Sequence, residues 1–172
     1  MEQDILESEE HFDNNSLQGA KRAKEYIETL LKSSDKGLLE HEIIIAVNSK
    51  LLLKKQYEYC LNQRMTTFKG IEKIYCDPKD IYCKMQIIID RFNQKSFYGN
   101  NVFKALVEFV FEFLHIHPFA DGNGRTIKFL VWYVMKSFNK MRHFFSLDYN
   151  TWCDIIHKKS YDSMLKWFEN MQ

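Results

Sequence analysis

His117-Pro118-Phe119-Ala120-Asp121-Gly122-Asn123-Gly124-Arg125 separates two apolar segments of the chain. Upstream, Phe103, Leu106, Val107, Val110, Phe113 and Leu114 recur at helical spacing. Downstream, Ile127, Leu130, Val131, Val134, Met135 and Phe138 do the same. The first segment predicts a helix buried on a wide face, the second a helix from near Asn123 to about Asn139-Lys140. A polar, glycine-bearing loop held between two buried helices makes the centre of the chain helical, and the packing of those helices sets the loop geometry.

The loop carries groups suited to phosphate. Gly122 and Gly124 leave the backbone free to approach a ligand, and successive N–H groups turned one way form an anion-binding concavity. The helix that follows adds unpaired N–H donors and a partial positive charge. Arg125 in its first turn is unfavourable for the helix dipole but suits bidentate phosphate binding, a local conflict that points to function. Asp121 supplies the hard oxygen that Mg²⁺ prefers, and His117 titrates near neutral pH and could take a proton from a hydroxyl. Each feature alone has a plainer reading. Gly-x-Gly is often a turn, a histidine before proline often ends a helix, and no Gly-Lys-Ser/Thr follows as a Walker loop would require.

As an ordered run, the stretch resembles the signature of the Fic family, His-x-Phe-x-Asp/Glu-Gly-Asn-Gly-Arg-x-x-Arg, at every position through Arg125. The resemblance implies an all-α, Fic-like helical bundle with a short β-hairpin flap. It implies a protein adenylyltransferase that moves AMP from Mg²⁺-ATP to a Tyr, Thr or Ser hydroxyl of a target protein. His117 would be the general base, Asp121 the Mg²⁺ ligand, and Gly122, Asn123 and Gly124 the anion hole. Arg125 would steady the triphosphate and Phe119 would anchor the loop. The Gly-Asn-Gly-Arg form is similar to the AMP-transferring branch and not to the kinase-like one. The second arginine of the signature is Lys128 in this chain, which keeps the charge but loses the planar fork, so its hold on the distal phosphate should be looser.

Many members of the family carry an inhibitory helix with the pattern Ser/Thr-x-x-x-Glu-Gly/Asn. The nearest N-terminal match is Asn14-Asn15-Ser16-Leu17-Gln18-Gly19, with Gln18 where the glutamate would stand. An amide and an ammonium can still hydrogen-bond, without the Coulomb attraction of an ion pair. Three readings stay open: weak inhibition, restraint by another partner, or an accidental match at Gln18. Glu169-Asn170 is a second candidate, with Leu165 where Ser or Thr is expected. If AMP removal needs the glutamate, Gln18 argues against that reverse reaction.

The rest of the chain is consistent with one domain. Its 172 residues can bury a core, and 45% hydrophobic and 15% aromatic residues fit a folded protein. A formal net charge of +1 gives no electrostatic case for nucleic acid or a membrane surface. No apolar run approaches spanning length, and the acidic start is no secretory signal. Cys60, Cys76, Cys83 and Cys153 have neither zinc nor Cys-x-x-Cys spacing and suggest a reduced, cytoplasmic protein, with export as an effector left open.

In chain order, residues 1–15 read as a flexible N-terminal arm and 16–172 as a single domain. A helix from Ser16 to about Leu31 buries Ala20, Ala23, Ile27, Leu30 and Leu31, and Ser33 to Gly37 form a turn. A second helix is expected from about Leu38 to Leu61. Met65 to Cys76 alternates in a hairpin-like way around Gly70, and Pro78 opens a helix burying Met85, Ile88, Ile89 and Phe92. By the resemblance, the region near residues 65–76 would be the flap that docks the target by main-chain pairing; any single flap residue reads as surface. Gly99-Asn100 marks a turn, and His115 reads as a satisfied structural histidine. Asp148 would cap a helix through Trp152, Ile155 and Ile156, and a last helix carries Tyr161, Met164, Leu165 and Phe168. One of these aromatics could floor an adenine pocket. Beside AMP transfer, with self-modification among its outcomes, stand a nucleotide-regulated binding module with little catalysis and a Fic-fold transferase of another phosphate-linked group.

Overall fold

The computed structural model describes residues 14–33, 37–54, 58–68, 71–98, 101–140 and 149–170. Among them are seven helices: α1 (Asn14–Leu30), α2 (His41–Leu51), α3 (Pro78–Tyr98), α4 (Val102–Ile116), α5 (Asn123–Ser137), α6 (Tyr149–His157) and α7 (Tyr161–Asn170). A two-stranded hairpin, β1 (Met65–Phe68) and β2 (Ile71–Ile74), pairs antiparallel with Met65 opposite Ile74. The chain is therefore all-α with one short hairpin, as expected. Gly70, the Gly99-Asn100 turn, Asp148 and the greater part of the N-terminal arm lie outside the described residues.

Helices α4 and α5 form the centre. From Thr126 to Met135 every residue of α5 is buried, and α4 buries Val102, Phe103, Leu106, Phe109, Val110, Phe113 and Ile116. A helix apolar on most of its circumference has to be surrounded. Helix α5 is packed by α2, α4 and α1, while α4 also takes α3 and α7. Asn101 caps α4 by accepting from the Lys104 N–H at 3.1 Å.

Two boundaries differ from expectation. Helix α1 begins at Asn14, inside the expected arm. Helix α2 is far shorter than Leu38 to Leu61, and tertiary bonds account for both of its ends. Asn93 on α3 binds the Leu39 backbone twice, Leu39 N–H to Oδ1 at 3.0 Å and Nδ2 to the Leu39 carbonyl at 2.8 Å, which keeps that residue out of the helix. At the other end Leu53 takes a left-handed φ of 54°. Beyond it, Tyr59 is buried against Phe119 with ring centroids 5.3 Å apart. The Cys60 N–H donates to the Pro118 carbonyl at 2.9 Å. The apolar residues read as one long helix are in part a strap lying along the loop.

Candidate active site

The loop begins and ends on left-handed backbone. His117 closes α4 with φ 57° and ψ 61°, a conformation with a steric cost for any residue but glycine, and its N–H donates to the Phe113 carbonyl. Gly122 precedes α5 at φ 75° and ψ 11°. A Cβ there would also lie 3.0 Å from Asn48 Nδ2 and 3.2 Å from Leu52 Cδ2, so glycine answers both dihedral and space.

Three side chains fasten the loop. Asn123 accepts from the Phe119 N–H at 2.9 Å and donates back to the Phe119 carbonyl at 2.8 Å. Asn48, fully buried on α2, donates to the Asp121 carbonyl at 3.0 Å and to Thr126 Oγ1 at 2.9 Å. Arg64 donates to the Phe119 carbonyl at 2.8 Å. Phe119 itself is fully buried between Tyr59 and Phe113.

The His117 imidazole is sandwiched by this scaffold. Tyr75, just past β2, stacks on it with ring centroids 4.0 Å apart and 15° between planes. Its Nδ1 lies 3.1 Å from Arg64 Nη1 and 3.1 Å from Asn123 Nδ2. Both neighbours are donors, and the Asn123 amide is oriented by its paired bonds to Phe119. Nδ1 is therefore the acceptor, and the neutral ring carries its proton on Nε2. Burial, then the Arg64 and Lys73 charges, lower the His117 pKa to about 4, against a smaller opposing effect of Asp121. The imidazole is neutral at physiological pH.

The carboxylate of Asp121 faces outward, while Arg125 is largely covered. No side chain caps α5, so its first N–H groups are left for a ligand. The Asp121 side chain is 64% exposed; Oδ1 accepts from the Gly122 N–H at 2.6 Å and Oδ2 lies 3.5 Å from Arg125 Nη2. One accessible carboxylate beside anion-binding N–H groups fits Mg²⁺, which completes its shell from phosphate and water oxygens. The described residues hold no cluster of three or more His, Cys, Asp or Glu side chains for a metal.

His117, Asp121, Gly122, Asn123, Gly124 and Arg125 thus converge on one loop. Lys128 does not join them at the surface: it is 3% exposed, with its ammonium 5.6 Å from the Trp152 ring centre. Gln18 is exposed on α1, and its neighbour Gly19 explains the helix placement. A Cβ on Gly19 would stand 2.0 Å from the Leu51 carbonyl oxygen, so only glycine lets α1 meet the end of α2, whose next residue, Leu52, touches Gly122. His115 corrects an expectation. It stands exposed near the end of α4, where a satisfied structural histidine was expected, and partial burial, then Lys73, Lys159 and Lys84, lower its pKa.

Arg64, Tyr75 and Tyr59 escaped the sequence reading because they reach the site through strap and hairpin, with no motif around them. Asn48 left a signal that was available, an amide on the buried face of α2 between Val47 and Leu51.

The Fic/DOC family model matches residues 38–135. Among solved structures, a Fic-domain-containing signaling protein from Bacteroides thetaiotaomicron aligns with a TM-score of 0.78 and 16% identity, covering 95% of this chain and 70% of that one. Fic-1 from C. elegans aligns with a TM-score of 0.66 and 17% identity over 99% of this chain and 53% of its own. A Fic family protein from Desulfovibrio desulfuricans gives 0.60 and 14% over 98% and 48%. This chain spans about half the length of the latter two. At these identities the likeness concerns the fold. None of the curated proteins compared matches the chain. No helix among the described residues is long and apolar enough to cross a membrane.

Proposed function

Because the chain belongs to the Fic/DOC family, we propose that it is a protein adenylyltransferase, moving AMP from Mg²⁺-ATP to a Tyr, Thr or Ser hydroxyl of a protein substrate. The observation that carries the reading is the placement of a neutral imidazole on the same loop as an uncapped helix N-terminus and an accessible carboxylate.

The acceptor hydroxyl oxygen attacks the α-phosphorus, the bond from that phosphorus to the oxygen bridging to the β-phosphate breaks, and pyrophosphate leaves with the electron pair. The hydroxyl proton passes to His117. The lone pair of its neutral ring is on Nδ1, so Arg64 and Asn123 have to give up their contacts there, or the ring has to exchange tautomers, before the hydroxyl is deprotonated. The N–H groups of Asn123 and Gly124 and the Arg125 guanidinium hold the phosphates and offset developing charge, and the Gly122 N–H joins them once Asp121 Oδ1 turns from it to the metal. Mg²⁺ bound by Asp121 would neutralise the polyphosphate. Lys128, buried over Trp152, would reach the distal phosphate only after rearrangement.

The hairpin would dock the acceptor segment by main-chain pairing, and self-modification is one form of this. Gln18, beside the close contact of Gly19 with Leu51, would stand for an inhibitory glutamate without its charge. Such a brake would be weak.

The test is incubation of the pure protein with Mg²⁺ and ATP, then intact-mass spectrometry, with candidate acceptor proteins and His117→Ala in parallel. A gain of one AMP per acceptor that is lost in His117→Ala while nucleotide binding persists is expected. Equal labelling by His117→Ala would overturn the mechanism. Binding without transfer to any acceptor would point to a nucleotide-regulated binding module.

A further inference from the structure

Beside the catalytic loop, between α3, α4 and the start of α7, lies a cavity of about 340 Å³. Its floor is apolar, with Ile88, Phe111 and Ile116 buried beneath it, and Ile87 stands 55% exposed on its wall. Lys84 and Lys159 stand on its rim together with His115 and Glu112, and Lys73 on β2, its pKa lowered first by burial, is close enough to Lys159 for that second charge to lower it further. Neither Lys73 nor Lys159 has a carboxylate partner among the described residues. Of the nearby acids, Glu112 is paired with Arg91, and Asp80 lies 3.9 Å from Lys84. This concentration of positive charge stands out on a chain whose formal net charge is only +1.

The groove is continuous with the site. Lys73 lies over the Tyr75 ring at 4.8 Å, Tyr75 stacks on His117, and His115 and Ile116 run directly into His117. The hairpin beside it exposes apolar side chains, Met65 at 55% and its cross-strand partner Ile74 at 70%.

We propose that this groove is a docking site for the acceptor protein, taking an acidic segment with an apolar anchor that lies close in sequence to the modified hydroxyl. The occupant follows from charge and shape: carboxylates meet Lys73, Lys84 and Lys159, and one apolar side chain enters above Phe111. An extended chain advances ~3.3 Å per residue, so residues next to one paired with the hairpin fall naturally along this surface. The idea rests on the adenylyltransferase reading for its biological meaning, but binding can be measured without transfer. The groove would add selectivity that main-chain pairing alone lacks.

The experiment titrates the ¹⁵N-labelled full chain with a short synthetic peptide of Leu and Glu around one Thr, and with its analogue carrying Gln for every Glu. Amide shifts are expected at Ile87, His115, Lys159 and Tyr161, with the Gln analogue binding ~10-fold more weakly. Lys73→Glu combined with Lys159→Glu should reduce affinity for the acidic peptide by a similar factor; Lys159→Ala should reduce it a few-fold, and serves if the double variant does not fold. Equal binding of both peptides, or shifts confined to other surfaces, would overturn the proposal. So would the same shift pattern from inorganic phosphate alone, which would make this a small-anion site. Charge-dependent binding of a Thr peptide that is never adenylylated would leave the groove standing and count against the transferase reading. Adenylylation with no preference for acidic peptides would do the opposite.

Discussion

Replacing Arg64 by Gln should raise the pKa of His117 and change the proton distribution on its ring. The drop from 6.5 to about 4 disfavours the imidazolium by about 3 kcal/mol. Burial is the larger cause and survives the substitution. The Arg64 charge, held 3.1 Å from Nδ1, is removed, which should return ~1 pH unit of the lost basicity. Arg64→Lys keeps a cation there and should leave the pKa low. The assay is an NMR titration of the His117 ring proton, with long-range ¹H–¹⁵N correlations to read the tautomer. Wild type should show a neutral ring protonated on Nε2, whereas Arg64→Gln removes one of the two donors on Nδ1 and should allow a mixture. Stability provides a second readout. A histidine whose folded pKa is depressed imposes no differential cost above its unfolded pKa of 6.5. As pH falls from there to about 4, the unfolded chain takes up the proton first and stability is lost. That acid loss should be smaller in Arg64→Gln. Titration of wild-type His117 near 6.5, or an identical pKa in Arg64→Gln, would refute the account of how Arg64 and burial act on the base.

Asp121→Asn should weaken Mg²⁺-nucleotide binding by ~10-fold or more while changing metal-free nucleotide binding little; calorimetry with and without Mg²⁺ checks this, and equal losses in both would remove Asp121 from the metal role. Gly19→Ala would stabilise an ordinary exposed helix by ~1 kcal/mol, yet it should destabilise this protein by ~1–3 kcal/mol, because its Cβ would meet the Leu51 carbonyl oxygen; a denaturant midpoint shift in the stabilising direction would refute the close contact. Phe119→Ala should cost ~3–5 kcal/mol by emptying a fully buried site between Tyr59 and Phe113, and thermal melting should show it as a lowered midpoint.

Much of this molecule was legible in its residues. The periodicity of Phe103 to Leu114 and of Ile127 to Phe138 located α4 and α5, because a face that must leave water repeats with the helical turn. Pro78 marked the start of α3, and the alternation from Ile71 to Ile74 marked a strand. The loop chemistry was readable for a different reason: His117, Asp121 and Gly122 are neighbours in the chain, so no folding is needed to bring them near one another. What local pattern could not settle was every feature produced by distant partners. Leu38 to Leu61 had helical composition throughout, but Asn93 captured the Leu39 backbone, and Tyr59 and Cys60 joined the loop instead. Lys128 read as a contact for the distal phosphate, but in the folded chain it is buried with its ammonium near the Trp152 ring. His115 read as a satisfied structural histidine, whereas it is exposed on the rim of the groove. The basicity of His117 was likewise beyond reach of the motif, since it depends on Arg64, 53 positions away, and on how deeply the folded chain buries the ring. Composition and spacing determine which groups are available and which helix faces must be covered. Tertiary packing decides which charges meet, which backbone bonds end a helix, and on which nitrogen the proton rests, because those energies depend on distance and desolvation that exist only once the chain has folded.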